Sequence, residues 1–430
     1  MNKLTVAAKT LALALAASTF TFAALADGAP KFLGNTTSYE TTLGVIPEDF
    51  DTYWNQITPQ MECTRGEVEK KQGIYDWTAC DIVYNWAKEH NTLFMFRTLL
   101  WGGHNPAWLA GLDSAETRQS VIDWFDAVAK RYPDLEMIEV VTEAVRNGQS
   151  YHSGFPNYKF IEALGGDTGN YEFVVTAFKM ARERWPRAIL IYNDYNTIQW
   201  NKDLAIDLVK KIKAQGAPVD GFGMQFHDML RQGSGTFCVH SFEIESALRD
   251  AYEQTGVPIY VTQYDIGVYK DSLQKACYQE HIPVLMETDY VKGVTLWGYI
   301  YGKTWVTCAD SPTKIGCSGI IKDGIDRPAM TWLKEYFAEN YPYTPLGPEE
   351  PSAVAQNLYF SPNTLQKFEV FNARGVRLGV FTAHSFESAV QMLKNSSVLK
   401  PSGVYYLRSR STGKMQAVRI SKILKYLRIH

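Results

Sequence analysis

The chain has 430 residues, 46 % of them hydrophobic, and a formal net charge of −3. This is ordinary for a globular protein with a large core, and at roughly 150 residues per domain the length allows two or three domains. Beyond the amino terminus no stretch approaches the roughly 20 apolar residues of a membrane-spanning helix, which excludes an internal span. Aromatic residues make up 13 %, with 25 Tyr and 11 Trp. A large core accounts for that number, and stacking on sugar rings is the second reading.

Residues 1–26 read as a signal peptide. Lys3 and Lys9 supply the positive end, an apolar stretch runs from Leu11 to Leu25, and Ala24-Leu25-Ala26 is a small-x-small cleavage site. The mature protein is expected to start near Asp27, to be secreted or held at the cell surface by bacterial-type export, and to keep no membrane span.

Eight short apolar or β-branched runs follow: Lys31–Asn35, Tyr53–Pro59, Thr92–Leu99, Met137–Thr142, Ala188–Asn193, Val219–Phe226, Pro258–Gln263 and Lys292–Trp297. Strands buried on both faces read as such continuous runs. Between them lie stretches with apolar residues at three- and four-residue spacing, among them Ser120–Arg131, Tyr171–Trp185, Lys202–Gln215 and Ser241–Thr255. Strands alternating with helices predict a parallel α/β sheet, and eight units fit a closed (β/α)8 TIM barrel over residues 27–343. A doubly wound sheet would call for GxGxxG after the first strand, and Lys31–Asn35 is not followed by one.

Tyr341–Pro351 holds Pro342, Pro345, Pro348 and Pro351, so residues 344–350 read as the centre of a stiff linker. Short alternating runs then appear at Phe368–Phe371, Val376–Phe381, Val404–Ser409 and Gln416–Ile420, separated by turn residues. They predict a small all-β, sandwich-like domain over 351–430. From Pro351 to His430 there are twelve Lys and Arg against two Asp and Glu, so this part is basic while the preceding part is acidic. Such asymmetry marks separate domains. No DNA- or RNA-binding pattern accompanies the basic charge, so no nucleic-acid partner is expected.

The six cysteines are Cys63, Cys80, Cys238, Cys277, Cys308 and Cys317. An even count in an exported chain suggests disulfides, with 15 possible pairings. Their order favours the local pairs Cys63–Cys80, Cys238–Cys277 and Cys308–Cys317. No CxxC spacing or paired His supports a zinc site, and no metal or organic cofactor is implied.

In a barrel the reacting groups sit at the C-terminal ends of strands. Here Glu143, Asn193, Asp194, Tyr195, Gln225, His227, Gln263 and Trp297 end or follow the expected strands, so polar groups converge on one rim. At these residues the sequence resembles glycoside hydrolase family 10, the retaining endo-β-1,4-xylanases. The resemblance runs from Lys31 to Phe337 through Lys31-Phe32-Leu33-Gly34-Asn35, Thr98-Leu99-Leu100-Trp101, Val140-Val141-Thr142-Glu143-Ala144, Ile191-Tyr192-Asn193-Asp194-Tyr195-Asn196, Asp220-Gly221-Phe222-Gly223-Met224-Gln225-Phe226-His227 and Val294-Thr295-Leu296-Trp297-Gly298.

The resemblance implies xylan or a related β-1,4-linked plant polysaccharide as substrate. It implies Glu143 as acid/base and places Gln263 where the family has its carboxylate nucleophile. His227 and Gln225 would orient position 263, while Trp101, Trp297 and Trp305, with His104, Asn193, Asp194 and Tyr195, would line the sugar subsites. Other family positions also depart from the pattern: Thr142, Met61, Thr64, Arg65, Arg97 and Gly102 replace residues gathered around the sugar. Two further carboxylates stand nearby, Asp265 and Glu139. The 351–430 region resembles C-terminal sorting modules of bacterial extracellular hydrolases, which implies secretion or surface-attachment machinery as a partner.

Overall fold

The computed structural model describes residues 24–38, 43–148, 150–151, 153–233, 235–343, 366–372, 377–383, 390, 402–409 and 415–421. Residues 1–23 of the expected signal peptide and the expected linker lie outside them. Ala24 and Ala26, at the expected cleavage site, are buried, and the Leu25 amide donates to the Tyr53 carbonyl.

Eight parallel strands close into a barrel: β1 (Phe32–Thr36), β2 (Gln56–Thr58), β3 (Leu93–Trp101), β4 (Met137–Thr142), β5 (Ile189–Asp194), β6 (Gly221–Met224), β7 (Ile259–Tyr264) and β8 (Val291–Leu296). Each strand pairs with the next, and β8 closes on β1. The long helices on the outside are α1 (Thr78–Glu89), α2 (Ser114–Arg131), α3 (Glu172–Arg184), α4 (Lys202–Ala214), α5 (Ser241–Thr255), α6 (Asp271–Glu287) and α7 (Pro328–Asn340). Their inner faces bury apolar residues against the sheet, for example Val121, Trp124, Phe125 and Val128 of α2. All eight expected strands are present: Met137–Thr142 coincides with the observed strand, and the others are displaced by one to three residues at their ends. The second is shorter than expected because Phe50–Tyr53 forms a helical turn before it.

The barrel interior is layered. At the lower end Phe32, Met95, Met137, Ile191 and Tyr260 pack together. Gly293 makes room for Phe32, since a Cβ there would lie 2.1 Å from its ring. Higher up the filling turns polar and hydrogen-bonded. Gln56 donates to Thr58 Oγ1 (2.8 Å) and accepts from Thr295 (2.7 Å), and Thr262 donates to Asn193 Oδ1 (2.7 Å). Buried polar groups need such partners, and here they lead up to the rim.

Three disulfides form, Cys63–Cys80, Cys238–Cys277 and Cys308–Cys317. The C-terminal strands β9 (Gln366–Asn372), β10 (Arg377–Ala383), β11 (Ser402–Ser409) and β12 (Met415–Ser421) make one antiparallel sheet in the order β10-β9-β11-β12. Phe368, Val370 and Leu407 are buried, with Val370 opposite Leu407. The described residues thus contain one layer of the expected sandwich-like domain.

Candidate active site

The rim groups converge in two hydrogen-bonded clusters. The first surrounds Glu143, the residue after β4, which is 8 % exposed and has φ 60°. A left-handed backbone at a non-glycine residue is costly and concentrates at functional sites. Its amide donates to the Asn193 carbonyl of β5 (2.8 Å), which fixes the turn. The carboxylate accepts from Trp101 Nε1 on Oε2 (2.8 Å) and from Gln225 Nε2 on Oε1 (3.0 Å). Ser153 Oγ also donates to Oε2. Ser153 arrives on a loop that crosses the end of β3, and the crossing needs Gly102. A Cβ there would lie 1.8 Å from the Ser153 carbonyl oxygen and 2.4 Å from the Phe155 nitrogen.

The second cluster surrounds Gln263 on β7, which is 2 % exposed. His227 bridges it to Asp265, with Nε2 2.9 Å from Gln263 Oε1 and Nδ1 2.8 Å from Asp265 Oδ2. Trp305 donates its indole N–H to the same Asp265 oxygen (3.0 Å) and sets its ring edge-on to His227. Burial works against the imidazolium. Asp265, the hydrogen bond to Gln263 and the charge of Glu143 outweigh it and raise His227 above its ordinary pKa. An imidazolium donates from both nitrogens, which suits a carboxylate on one side and the Gln263 carbonyl oxygen on the other. Among the described residues Gln263 Nε2 is buried with no hydrogen-bond partner, so the amide holds an unused donor at the rim.

Between the clusters the Arg97 guanidinium lies 5.0 Å from the Trp101 ring centre and 5.1 Å from that of Trp297, and donates to the Gln60 carbonyl (2.8 Å). Beneath it Glu139 is fully buried, 3.7 Å from Arg97 and 3.1 Å from Asn193 Nδ2. Burial pushes Glu139 up to about 7 against the pull of Arg97 and Asn193, with the Glu143 charge adding to the rise. It lies below the rim beneath Arg97 and Asn193.

The other expected residues divide in two. Tyr195 follows β5 beside the first cluster, and burial with the charges of Glu143 and Asp194 pushes it up to about 12. Asn193 and Asp194 are buried. Asn193 is tied to Glu139, Thr142 and Thr262. Asp194 accepts from the Val145 amide (3.2 Å), the Tyr195 amide (2.8 Å) and the Tyr192 hydroxyl, so it clamps the turn that carries Glu143. His104 turns toward the loop after β2, with Nδ1 2.8 Å from Thr64 Oγ1. Burial lowers its pKa, with Arg97 and Lys70 adding and Glu67 opposing. Arg65 points into the wall, bonded to Glu69 and the Ser120 carbonyl. Among the described residues no group of three or more His, Cys, Asp or Glu could hold a metal ion.

Residues 22–316 match the model of glycosyl hydrolase family 10. The chain belongs to that family. This family-10 protein is 37 % identical over 306 residues to endo-1,4-beta-xylanase B of Cellvibrio japonicus, covering 71 % of this chain and 45 % of that protein. It is 28 % identical over 278 residues to endo-1,4-beta-xylanase B of Paenibacillus barcinonensis, covering 59 % of this chain and 80 % of the relative. The chain thus spans less than half of the Cellvibrio protein. The family-10 structure from Paenibacillus barcinonensis shares the fold with a TM-score of 0.63 at 22 % identity, over 76 % of this chain and 100 % of that one. Native xylanase 10B of Thermotoga maritima does so with a TM-score of 0.61 at 22 % identity, over 74 % and 98 %.

Sequence reasoning missed Ser153, which no motif marks. The only hint was Gly102, a departure from the family pattern that the crossing loop exploits. Arg97 was noted as a departure, but its place between two tryptophans follows from β3 and β8 lying on either side of the β1–β2 edge, which the sequence does not display.

Proposed function

We propose that this protein is an endo-β-1,4-xylanase-type glycosidase in its recognition of xylan and in its acid/base group, and that Gln263 limits the covalent step. Glu143 would protonate the leaving glycosidic oxygen and then activate water. A retaining mechanism also needs a second carboxylate to attack the anomeric carbon. The observation that carries the reading is the partner set of Gln263: it sits in the bridge to His227 and Asp265, where the resemblance puts the nucleophile. An amide neither attacks as a carboxylate does nor opposes the positive charge of an oxocarbenium-like transition state. Asp265 and Glu139 are poor replacements, since the first is committed to His227 and Trp305 and the second is buried beneath Arg97.

The unpartnered Gln263 Nε2 favours a second reading, a protein that holds xylan without cutting it. A buried donor without a partner is costly, and a sugar oxygen would satisfy it. Three disulfides support an oxidising, extracytoplasmic location, and the basic β domain is assigned to secretion or surface attachment on sequence grounds.

The test is reducing-end release from soluble xylan by this protein and its Gln263→Glu variant. Release by the variant, at a rate higher by about 10^3-fold or more, with little by the parent, supports the assignment. Rapid release by the parent overturns the role of position 263. Release by neither, with xylan still bound, leaves the second reading in place.

A further inference from the structure

Seven aromatic side chains are exposed among the described residues: Trp200, Phe237, Phe242, Tyr252, Tyr269, Trp305 and Tyr343. Five of them stand at the barrel mouth. Trp200 lies between β5 and α4, Phe237 between β6 and α5, Tyr269 between β7 and α6, and Trp305 between β8 and α7, while Phe242 is in the first turn of α5. Exposed aromatics scattered by chance would not gather on one end of a barrel.

Trp200 is 76 % exposed, the most exposed of all, yet its loop is rigidly held. The Asn201 amide donates back to the Asn196 carbonyl (2.7 Å), and Asn201 Nδ2 to the Tyr195 carbonyl (3.2 Å). Asp228, after β6, accepts from the Ile198 amide (3.1 Å) and the Gln199 amide (2.8 Å). Gln199 Nε2 reaches the Leu230 carbonyl (3.3 Å), at the start of the hairpin that carries Phe237. A large apolar ring displayed on a braced turn exposes apolar area to water, and the backbone beneath it has little conformational freedom left to lose on binding.

The position of the turn says what would cover it. Glu143 follows β4 and Gln263 ends β7, on opposite sides of the barrel. The line between them separates β8, β1, β2 and β3, which carry Trp297, Arg97 and Trp101, from β5 and β6. A polysaccharide crossing that line leaves on the side where Tyr195, and then Trp200, lie.

We infer that Trp200 is a stacking platform for sugar units of an extended β-1,4-linked chain that lie outside the cleft between Glu143 and Gln263, on the side of β5 and β6. The inference rests on the reading of the cleft as a xylan site. It makes the protein a reader of chain length, with long chains gripped at both the cleft and the platform.

The test is calorimetric titration of the full chain with xylotriose and with xylohexaose. Trp200→Ala is expected to weaken xylohexaose binding about tenfold, roughly 1.4 kcal/mol, and to leave xylotriose unchanged, while Trp200→Phe keeps most of the affinity. Equal xylohexaose affinity for parent and Trp200→Ala overturns the platform and leaves the cleft reading standing. Failure of the parent to bind either oligosaccharide overturns both. A concentration-dependent dimer that Trp200→Ala abolishes, with xylohexaose affinity unchanged, assigns the ring to a second copy instead.

Discussion

An amide and a carboxylate have nearly the same shape, so the Gln263 site keeps its geometry while changing its electrostatics. In Gln263→Glu the His227 imidazole would face a second anion where it now faces a carbonyl oxygen 2.9 Å away. Opposite charge at that distance favours the protonated ring. The His227 resonances in an NMR titration should therefore move to a higher midpoint in Gln263→Glu than in the parent, and an unchanged midpoint would argue against the bridge. Ser153→Ala removes one of the two donors to Glu143 Oε2 and leaves Trp101 in place. In the Gln263→Glu background it should lower xylan turnover by about tenfold, given that a hydrogen bond to a charged group is worth about 1.5–3 kcal/mol, while altering KM little. The roles of residues 143 and 263 were legible because motif and strand end coincide there. Ser153 was not, because its position depends on a loop folding back over a glycine.

A glycine decides how the stretch that carries Ser153 and Phe155 reaches the rim. Gly102→Ala would press a methyl group into the Ser153 and Phe155 backbone, and a forced backbone shift of this kind costs about 1–3 kcal/mol. Thermal unfolding should show the loss, and xylan turnover in the Gln263→Glu background should fall further than in Ser153→Ala, since the whole loop is displaced. An unchanged crystal position for Ser153 would refute the account. The helices show what periodicity can and cannot deliver. For α2 the apolar spacing predicts a start at Ser120, whereas the helix begins at Ser114. Asp113 and Glu116 form a reciprocal capping box there (2.8 and 2.9 Å), and the Asp-x-x-Glu pattern was present to be read. The added residues 114–119 carry no large apolar side chain, and only Thr117 among them is buried, which is why hydrophobic spacing overlooked them.

Across the whole molecule the (β/α)8 order was legible because each strand is buried on both faces and each helix on one, so two periods alternate along the chain. The polar layer inside the barrel was less so, since Glu139, Asn193 and Thr262 depend on register between strands far apart in sequence. That layer sets a pH dependence. Glu139 and Asp194, both held near 7, bind protons in the folded state that they release on unfolding. His227, raised as well, acts in the same direction. Their stabilisation is complete below their unfolded pKa values and is lost as pH rises through the folded ones. His281, which burial lowers to about 4, does the opposite and costs stability as pH falls below about 6.5. With two carboxyls losing stabilisation and one histidine regaining it, the melting temperature should fall as pH rises from about 5 to about 7, and Glu139→Gln should make that fall shallower. A parent whose melting temperature rises over the same range would contradict this balance. The three disulfides add a different sensitivity. Cys63, Cys238, Cys308 and Cys317 lie in loops at the mouth, while Cys80 and Cys277 sit on the helices those loops adjoin. The cross-link from Cys238 to Cys277 spans 39 residues and contributes about 4 kcal/mol on a chain-entropy estimate; the barrel ladder itself contains no cysteine. A reducing environment would therefore act on the grip before the frame: dithiothreitol should quicken amide exchange in the loops around 228–240 and 300–320 while the eight strands stay protected. If the cleft is the xylan site proposed above, a protein released into reducing surroundings would let go of its ligand and still be folded.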